Sequence, residues 1–289
     1  MKRALYLLEY LILNIIFFIF KLIPINYVSV IGCKFFQIIG PFSKSHNTAF
    51  LNLKKVFPSW SEKKISKNLS KSWNNLGKTL SELIILNKLL NNENKRIKIL
   101  GIENLKKIKN NNKPVIFFSI HQANWELLVP TLDNLGIKVG AIYRHINNPY
   151  INALIIKIRS KTLNNKETFY TPKGKESAKE ILLALNKGQS FILLIDQKDS
   201  AGKNVKLFNH SVKTQTGFLK IAKKNNLELI PVQNIREKIN NFKIIFHPPM
   251  NPFKANLDEI SAMSEIHKII EKWIKEKPDQ WLWQHKRFD

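Results

Sequence analysis

The chain has 289 residues, which is enough for one large α/β domain with appendages and too few for two independent enzymes with separate cores. Hydrophobic residues make up 44% of it, which suits a packed core and excludes a chain that is disordered over most of its length. Lys and Arg number 47 against 21 Asp and Glu, so the surface attracts anionic lipid, nucleic acid or an acidic protein. No zinc-finger spacing, basic heptad helix or aromatic RNA-binding strand accompanies this charge, and nucleic acid is therefore not an expected partner.

An apolar run opens the chain. Residues 4–20 are nearly all Leu, Ile, Phe and Tyr, with Lys2-Arg3 before them and Lys21 after them. A bilayer span needs about 20 apolar residues. This run is slightly short and contains Glu9 and Asn14, so a tilted span, a helix lying at the interface and a buried core helix all stay open. A cleaved signal peptide is disfavoured because no small-x-small site comes after the run. We predict that residues 1–40 anchor the protein to a membrane.

The single cysteine, Cys33, excludes an intramolecular disulfide and any metal site with several cysteine ligands. It ends the stretch Val30-Ile31-Gly32-Cys33, which is somewhat similar to a bacterial lipoprotein cleavage site. Lys21 and Pro24 interrupt the preceding apolar run, and the sequence stays apolar beyond the cysteine. We therefore expect an ordinary thiol in apolar surroundings and a reducing compartment.

An amphipathic helix is predicted between residues 60 and 90. Apolar side chains recur there at steps of three and four, at Ile65, Leu69, Trp73, Leu76, Leu80 and Leu83. Ser59 or Ser61 is placed to cap its start after Pro58. Residues 91–95 are predicted to form a loop, so residues 41–96 make a helical lead-in to a domain that begins near residue 97.

From residue 97 onward, short β-rich runs alternate with helical patterns. Strands are predicted at residues 115–120, 139–143, 191–195, 227–233 and 242–247, and helices near 149–159, 176–186, 214–225 and 261–276. This alternation predicts an α/β domain over residues 97–289, with a mixed sheet flanked by helices. Ligands of such sheets bind at the carboxyl ends of strands, where His121 and Asp196 both occur.

His121 and Glu126 are the candidate acid-base pair. A carboxylate that accepts a hydrogen bond from one imidazole nitrogen fixes the tautomer and leaves the other nitrogen free to take a proton from a hydroxyl. Residues five apart on an ideal helix point about 140° away from each other, so the pair meets only if the chain turns sharply after the strand. Otherwise His121 is a structural strand-end residue and Glu126 an ion-paired helix residue.

Several short blocks succeed one another in a recognisable order. They are His121-x-x-Asn124-Trp125-Glu126, then Tyr143-Arg144 with Asn148-Pro149 and Arg159, then Asp196-Gln197-Lys198, and finally Pro278-Asp279-Gln280-Trp281-Leu282-Trp283-Gln284-His285-Lys286-Arg287-Phe288. Asn52-Leu53 with Phe57-Pro58 is a weaker block ahead of them. Together the blocks resemble the bacterial lipid A biosynthesis acyltransferases that add secondary lauroyl or myristoyl chains. That family shares an H-x4-D/E signature with the glycerolipid acyltransferases, so the resemblance implies a glycerolipid-acyltransferase-like fold behind an N-terminal membrane helix.

Two positions depart from the family pattern. Ala123 stands where the motif usually has Gly, and His145 stands where Pro is common. Ala123 would crowd the turn if the backbone there needs a positive φ. Base and carboxylate are intact, so we expect a change in efficiency and not a loss of activity.

The resemblance implies that acyl carrier protein donates the acyl chain as its thioester, with no other cofactor. The acceptor is then a hydroxyl on a 3-hydroxyacyl chain of the phosphorylated, Kdo-bearing lipid A precursor. His121 would remove the acceptor proton, and backbone N–H groups with Arg159 would stabilise the oxyanion. Arg144 and Arg159 are candidate binding residues for phosphate groups, and Asn124 belongs to the same substrate-binding set. Asp196 is expected to position Arg159 or His121, unless it is simply a turn cap.

Other chemistry finds little support in the sequence. No G-x-S-x-G elbow is present, and the histidines outside the motif show no paired metal-ligand spacing. Trp281 and Trp283, two apart on a possible strand, suit core packing or a lipid-facing edge, and the sequence discloses no role for His285.

Two alternatives to the lipid A acyltransferase stay open. One is acylation of another lipid, such as a lysophospholipid, an ornithine lipid or a mannosylated inositol lipid. The other is a non-catalytic, membrane-tethered basic protein. The expected location is the bacterial inner membrane, with the catalytic domain on the cytoplasmic face where acyl carrier protein is found. Inner-membrane lipid and acidic acyl carrier protein both suit the basic surface.

Overall fold

The computed structural model describes residues 2–91, 95–106, 108 and 113–288. Its α-helices are α1 Lys2–Leu22, α2 Ile25–Ile39, α3 Lys44–Val56, α4 Glu62–Glu82, α5 Leu86–Leu90, α6 Leu128–Asn134, α7 Pro149–Ser160, α8 Lys175–Asn186, α9 Gly217–Lys224 and α10 Glu259–Glu276. Its strands are β1 Ile97–Leu100, β2 Ile116–Ser119, β3 Val139–Tyr143, β4 Phe169–Pro172, β5 Ser190–Leu194, β6 Lys198–Leu207, β7 His210–Thr214, β8 Leu229–Lys238 and β9 Asn241–Phe246. The loop predicted over residues 91–95 falls mostly on residues 92–94, which lie outside the described residues.

The first two helices carry the apolar N-terminus. Among the described residues, the segments Lys2–Leu22 and Ile25–Phe42 are each long and apolar enough to cross a membrane. Pro24 separates them, since a proline cannot continue the first helix. Most apolar side chains of α1 are exposed, while Glu9 accepts a hydrogen bond of 2.9 Å from Asn148 at the start of α7. The polar residue that interrupts the apolar run therefore docks this helix on the rest of the protein.

Helix α2 packs closely along α4. A Cβ atom added at Gly32 would lie 2.5 Å from the carbonyl oxygen of Gly77, so the two backbones approach as only glycines allow. Phe36 stacks on Trp73 beside this crossing. Helix α4 begins after Ser61, whose hydroxyl accepts a hydrogen bond from the backbone N–H of Lys64. One face of α2 is thus buried and the opposite face stays apolar and exposed.

A seven-stranded sheet forms the centre of the described structure, in the order β1-β9-β8-β2-β5-β3-β4. Strands β8, β2, β5, β3 and β4 run parallel, and β9 pairs antiparallel with β8 and parallel with β1. The prediction of a mixed α/β sheet flanked by helices is confirmed. The two-stranded ribbon β6–β7 was not predicted, and positive φ angles at Phe208 and Asn209 make its tight turn.

The central strand β2 is buried on both faces, as expected for a parallel strand covered by helices. Phe117 packs edge-on against Phe246 on one side of the sheet, and Phe118 stacks on Trp273 of α10 on the other. Each face has its own hydrophobic cluster. Strand β2 is therefore a rigid support for the residues after Ser119.

Candidate active site

His121 and Asp196 meet at the carboxyl ends of two adjacent strands. Ser119 of β2 pairs in register with Leu194 of β5, and His121 and Asp196 each come two residues later. The Nδ1 atom of His121 lies 2.8 Å from Oδ1 of Asp196, and the backbone N–H of His121 donates to Oδ2 at 3.0 Å. The sheet topology thus creates an imidazole–carboxylate pair from residues 75 positions apart.

Two further side chains complete this cluster. The indole N–H of Trp281 donates to Oδ2 of Asp196 at 2.7 Å, so the carboxylate accepts three hydrogen bonds while fully buried. The Nε2 atom of Gln197 lies 3.3 Å from Nε2 of His121. With Nδ1 protonated toward Asp196, the Nε2 lone pair accepts from the Gln197 amide. The neutral tautomer that a general base needs is the one that fits this set of partners.

The electrostatics of Asp196 agree with that geometry. Burial by itself raises the pKa of this carboxyl. The positive charge that His121 can carry, the hydrogen bonds from its ring and backbone N–H groups and the one from Trp281 outweigh burial and hold the pKa of Asp196 below its ordinary value. Asp196 is consequently ionised at neutral pH and presents its negative charge to the imidazole.

Glu126 is paired with Arg159. The guanidinium donates from Nε to Oε2 at 2.7 Å and from Nη2 to Oε1 at 2.6 Å, which is the bidentate arrangement. Arg159 lies in the last turn of α7 and is largely buried. Burial alone would lower the pKa of Arg159, but the Glu126 carboxylate raises it above its ordinary value. The pair is a fixed, charged unit close to the aromatic ring of Tyr170.

The structure differs here from the predicted orientation of His121 by Glu126. Nδ1 of His121 bonds Asp196, and both oxygens of Glu126 are bonded by Arg159. The physical reason is the 3-10 helix Trp125–Leu127, which puts Trp125 in contact with both residues. Its ring packs edge-on against His121 with centroids 5.1 Å apart, and its indole N–H donates to Oε1 of Glu126 at 3.1 Å. Asp196 was predicted to contact either Arg159 or His121, and in the structure it contacts His121.

A strained turn links His121 to Glu126. Ala123 has φ of +51°, a left-handed conformation that favours glycine, and its side chain is fully buried. Its backbone N–H donates to the carbonyl of Gln280 at 3.0 Å. Its carbonyl accepts from the hydroxyl of Thr79 at 2.6 Å and from the amide of Asn75 at 3.3 Å. The positive φ suspected at the position of the missing glycine is therefore present, and surrounding hydrogen bonds hold it.

Asn124 turns the chain into the 3-10 helix. Its side-chain oxygen accepts from the backbone N–H of Glu126 at 3.1 Å, and its amide donates to Oε2 of Glu82 at 2.9 Å. Glu82 is fully buried in a bidentate pair with Arg236, at 2.5 and 2.9 Å. An ion pair between α4 and β8 therefore fixes the residue that caps Glu126.

Comparison with known proteins shows the family of this chain. Residues 1–289 match the family described as bacterial lipid A biosynthesis acyltransferase. The chain belongs to that family. It is 25% identical over 272 residues to the lipid A biosynthesis palmitoleoyltransferase of Escherichia coli strain K12, covering 92% of this chain and 86% of that protein. The lipid A biosynthesis lauroyltransferase of the same strain is 23% identical over 290 residues, covering 98% and 92%. A lipid A biosynthesis acyltransferase of Shigella flexneri is 25% identical over 272 residues, with coverages of 92% and 86%.

Family membership makes this protein an acyltransferase of lipid A biosynthesis. The two Escherichia coli relatives are named for different acyl chains, palmitoleoyl and lauroyl. The relatives therefore do not decide for the lauroyl or myristoyl type that the sequence blocks resemble.

The remaining predicted binding residue of the acyltransferase, Arg144, comes directly after β3. Its side chain is exposed, and its charge helps to lower the pKa of His285. His285 lies in the C-terminal block beside the His121–Asp196 pair. Burial above all lowers the pKa of His285 to about 4, so its imidazole is neutral at neutral pH. Its Nδ1 is buried and has no hydrogen-bond partner within the described part of the chain.

The C-terminal block of the acyltransferase is a support for the site. The backbone N–H of Leu282 donates to the carbonyl of His121 at 3.0 Å, and Trp281 forms an isolated antiparallel β-bridge with Gln122. The amide of Asn52 on α3 holds the block by donating to the carbonyls of Trp283 and His285, at 2.8 and 2.7 Å. Both Trp281 and Trp283 are buried, which decides for core packing over a lipid-facing edge.

Four residues of the site were not predicted from the sequence to belong to it. Gln197 and Trp281 stand inside recognised blocks, so their neighbourhood carried a signal without their individual contacts. Glu82 and Arg236 stand outside every block. The sequence offered one hint, since Glu82 lies next to the predicted apolar stripe of the helix. A carboxylate buried at such a position needs a cationic partner.

Proposed function

We propose that this acyltransferase moves a fatty acyl chain from the thioester of acyl carrier protein to a hydroxyl of the Kdo-bearing lipid A precursor, with His121 as general base. The observation that carries the proposal is the bond of 2.8 Å between His121 Nδ1 and buried Asp196. It leaves Nε2 as the basic nitrogen. Family membership supports a substrate of lipid A biosynthesis, and the His121–Asp196 pair supports the choice of the base.

In the first step, the acceptor hydroxyl replaces the Gln197 amide at Nε2 of His121. Nε2 takes the hydroxyl proton while the oxygen attacks the thioester carbonyl carbon. Asp196 stabilises the resulting imidazolium without taking its proton, because the carboxylate stays ionised. The carbon–sulfur bond then breaks, and the thiolate of the carrier takes the proton back from His121. Ester and free thiol are the products.

Charge develops on the carbonyl oxygen during this attack, and Arg159 is our candidate for stabilising it. Its Nε and Nη2 atoms are bonded to Glu126, whereas Nη1 has no hydrogen-bond partner within the described residues. The hydroxyl of Tyr170 is also buried without a partner in that part of the chain, near the same guanidinium. In this proposal Glu126 positions Arg159, and Asp196 positions His121.

The basic surface suits both substrates. The formal net charge is +26, which favours an acidic carrier protein and a phosphorylated lipid. Arg144 is exposed beside the site, where a guanidinium suits a phosphate of either partner. We place the catalytic domain on the cytoplasmic face of the inner membrane, since helices α1 and α2 are apolar and the carrier is cytosolic.

The test is transfer by the full-length protein in detergent, using acyl carrier proteins loaded with lauroyl, myristoyl or palmitoleoyl chains and Kdo-bearing lipid A precursor. Mass spectrometry of the lipid should show the added acyl mass with wild type. His121→Ala should lower the rate by roughly 10²–10⁴-fold, as expected for loss of a proton-transfer group. Transfer by His121→Ala at the wild-type rate would rule out His121 as the base.

Salt tests the electrostatic part of the proposal separately. Rates at limiting carrier concentration should fall steeply between low and physiological ionic strength, because charge attraction is screened. Rates with a small pantetheine thioester donor should respond much less. A flat response with the carrier would contradict docking through the basic surface.

A further inference from the structure

A cavity of about 260 Å³ lies between α4, the β8–β9 turn and the 3-10 helix Pro278–Gln280, and His121 does not line it. One wall is a single face of α4, which contributes Lys71, Asn74, Asn75 and Lys78. The opposite wall is formed by residues 236–239 together with residues 279 and 280. Lysine and asparagine side chains make up half of this lining, and their N–H groups are donors that suit a bound anion.

The positive charge of the cavity is not neutralised from within. Lys71, Lys78 and Lys238 line it, and in the described part of the chain none of their ammonium groups makes a hydrogen bond or ion pair. Asp279 is the carboxylate that faces them in the lining. The other charged lining residues are matched elsewhere.

Those matched residues are Arg236 and Glu237. Arg236 is ion-paired with buried Glu82, and Glu237 is ion-paired with Lys243. The charges of Arg236 and Glu237 cancel over the lining, although the Glu237 carboxylate also attracts the neighbouring Lys238. The three lysines against one aspartate leave an excess of two positive charges over the lining.

Lys78 is the least exposed of the three lysines. Its side chain is half-buried, and burial, followed by the charge of Arg236, lowers the pKa of Lys78. An ammonium removed from water without an anionic partner is costly to a fold. A bound anion would provide that partner and favour the charged lysine.

The cavity adjoins the apolar N-terminal helices. Asn240, at the β8–β9 turn, donates to the carbonyl of Ile25 at 3.2 Å and accepts from the hydroxyl of Ser29 on α2. Ile239 lines the cavity and is exposed, next to this contact. The outer face of α2 exposes further apolar side chains, at Tyr27, Ile31, Phe35 and Ile38. An anion in the cavity therefore sits beside a surface suited to acyl chains.

We infer that this cavity binds the phosphate headgroup of an anionic membrane phospholipid. The phosphodiester accepts hydrogen bonds from the three lysines and from the amide of Asn74, and the acyl chains leave past Ile239 along α2. A lipid held this way fixes the depth and orientation of the protein at the membrane. In this proposal the lipid site is distinct from the acceptor site, because His121 does not line the cavity.

The experiment titrates phosphatidylglycerol into nonionic micelles that hold the full-length protein, with phosphatidylcholine as the zwitterionic comparison, and counts retained lipid by native mass spectrometry. Wild type should retain phosphatidylglycerol in preference. The triple variant Lys71→Gln, Lys78→Gln, Lys238→Gln should raise the apparent Kd by about 100-fold, since each lysine near anionic lipid strengthens binding roughly fivefold. Thermal unfolding of each variant shows that it is folded.

A matched variant carries Lys179→Gln, Lys220→Gln and Lys224→Gln, which removes the same charge from exposed positions on α8 and α9. It should bind as wild type does. Equal weakening by both triple variants would mean general charge attraction and would overturn the site. So would displacement of the lipid by inorganic phosphate at equal concentration, which would mean a free-phosphate site. His121→Ala should bind phosphatidylglycerol as wild type does. Loss of lipid binding by His121→Ala would overturn the placement of the lipid in a cavity distinct from the acceptor site, and it would leave the proposed role of His121 as general base untouched.

Discussion

Replacing Asp196 by Asn removes one charge from the site while keeping the size of the side chain. In the wild-type protein Oδ2 accepts from the His121 backbone N–H and from Trp281, while Oδ1 accepts from the His121 ring N–H. An amide can satisfy the first two donors with its oxygen, which leaves its NH₂ group against Nδ1 of His121. The ring then moves its proton to Nε2, and the base is lost. We expect transfer to fall by about 10³-fold, within the range for losing a proton-transfer group.

Steady-state kinetics of transfer from acyl carrier protein to lipid A precursor, measured over roughly pH 6–9, separate this effect from misfolding. The loss should appear in kcat, with KM nearly unchanged and no recovery at high pH, because the tautomer and not a titration is at fault. Asp133→Asn is the matched control. Asp133 is another buried carboxylate, which accepts from the backbone N–H of Asn164 at 2.6 Å. It should lose stability and keep its kcat. An Asp196→Asn enzyme within about threefold of wild type would refute the assignment of the base partner.

Three further predictions concern stability. Ala123→Gly should have a free energy of unfolding within about 0.5 kcal/mol of wild type, because relief of the left-handed strain offsets the added chain entropy. Ala222→Gly, inside α9, should lower the free energy of unfolding by about 1–2 kcal/mol. Denaturant titration measures both values, and equal losses of stability would contradict the strain at Ala123. His267 has its pKa lowered to about 4, first by burial, so the unfolded chain binds more protons between pH 4 and 6.5. Stability should therefore fall by up to about 3 kcal/mol as pH drops through that window, and thermal unfolding of His267→Asn should show a flatter profile. Glu82→Gln leaves Arg236 buried without its anion and should cost roughly 3–5 kcal/mol, together with lower transfer at temperatures where the variant is folded; a fully active, fully stable variant would mean that this pair does not hold the turn.

The fold was predictable where the sequence has clear periodicity. The central strands are short apolar runs, and helices α7, α8 and α10 lie within two residues of their predicted bounds. The ribbon β6–β7 escaped prediction because residues 198–206 are mostly polar and charged and show no buried alternation. The edge strands β1 and β4 are only four residues long, which is too short for a pattern to stand out.

The site was predictable as a set of residues and less so as a set of contacts. His121, Glu126, Arg159 and Asp196 all belong to recognised blocks. Spacing along the chain suggested pairing the first two, but the sheet register brings Asp196 to His121 from 75 residues away. Local sequence carries no information on such a register, because it depends on which strands become neighbours. The Glu82 to Arg236 pair, 154 residues apart, has the same origin.

The turn at Ala123 shows a different limit. The sequence shows Ala123 where the motif usually has glycine. It does not show whether the backbone at this position has a positive φ angle. The hydrogen bonds that hold the turn come from α4 and from Gln280. Tertiary contacts thus maintain a conformation that the residue itself disfavours.

In the proposed mechanism His121 catalyses acyl transfer onto lipid A. Its most direct test is mass spectrometry of lipid A from cells that lack the protein, supplied with either wild type or His121→Ala at equal abundance in the membrane. We predict lipid A with one additional acyl chain when wild type is present, and the unmodified profile with His121→Ala. An identical profile in both strains, with the extra chain present or absent, would contradict the account.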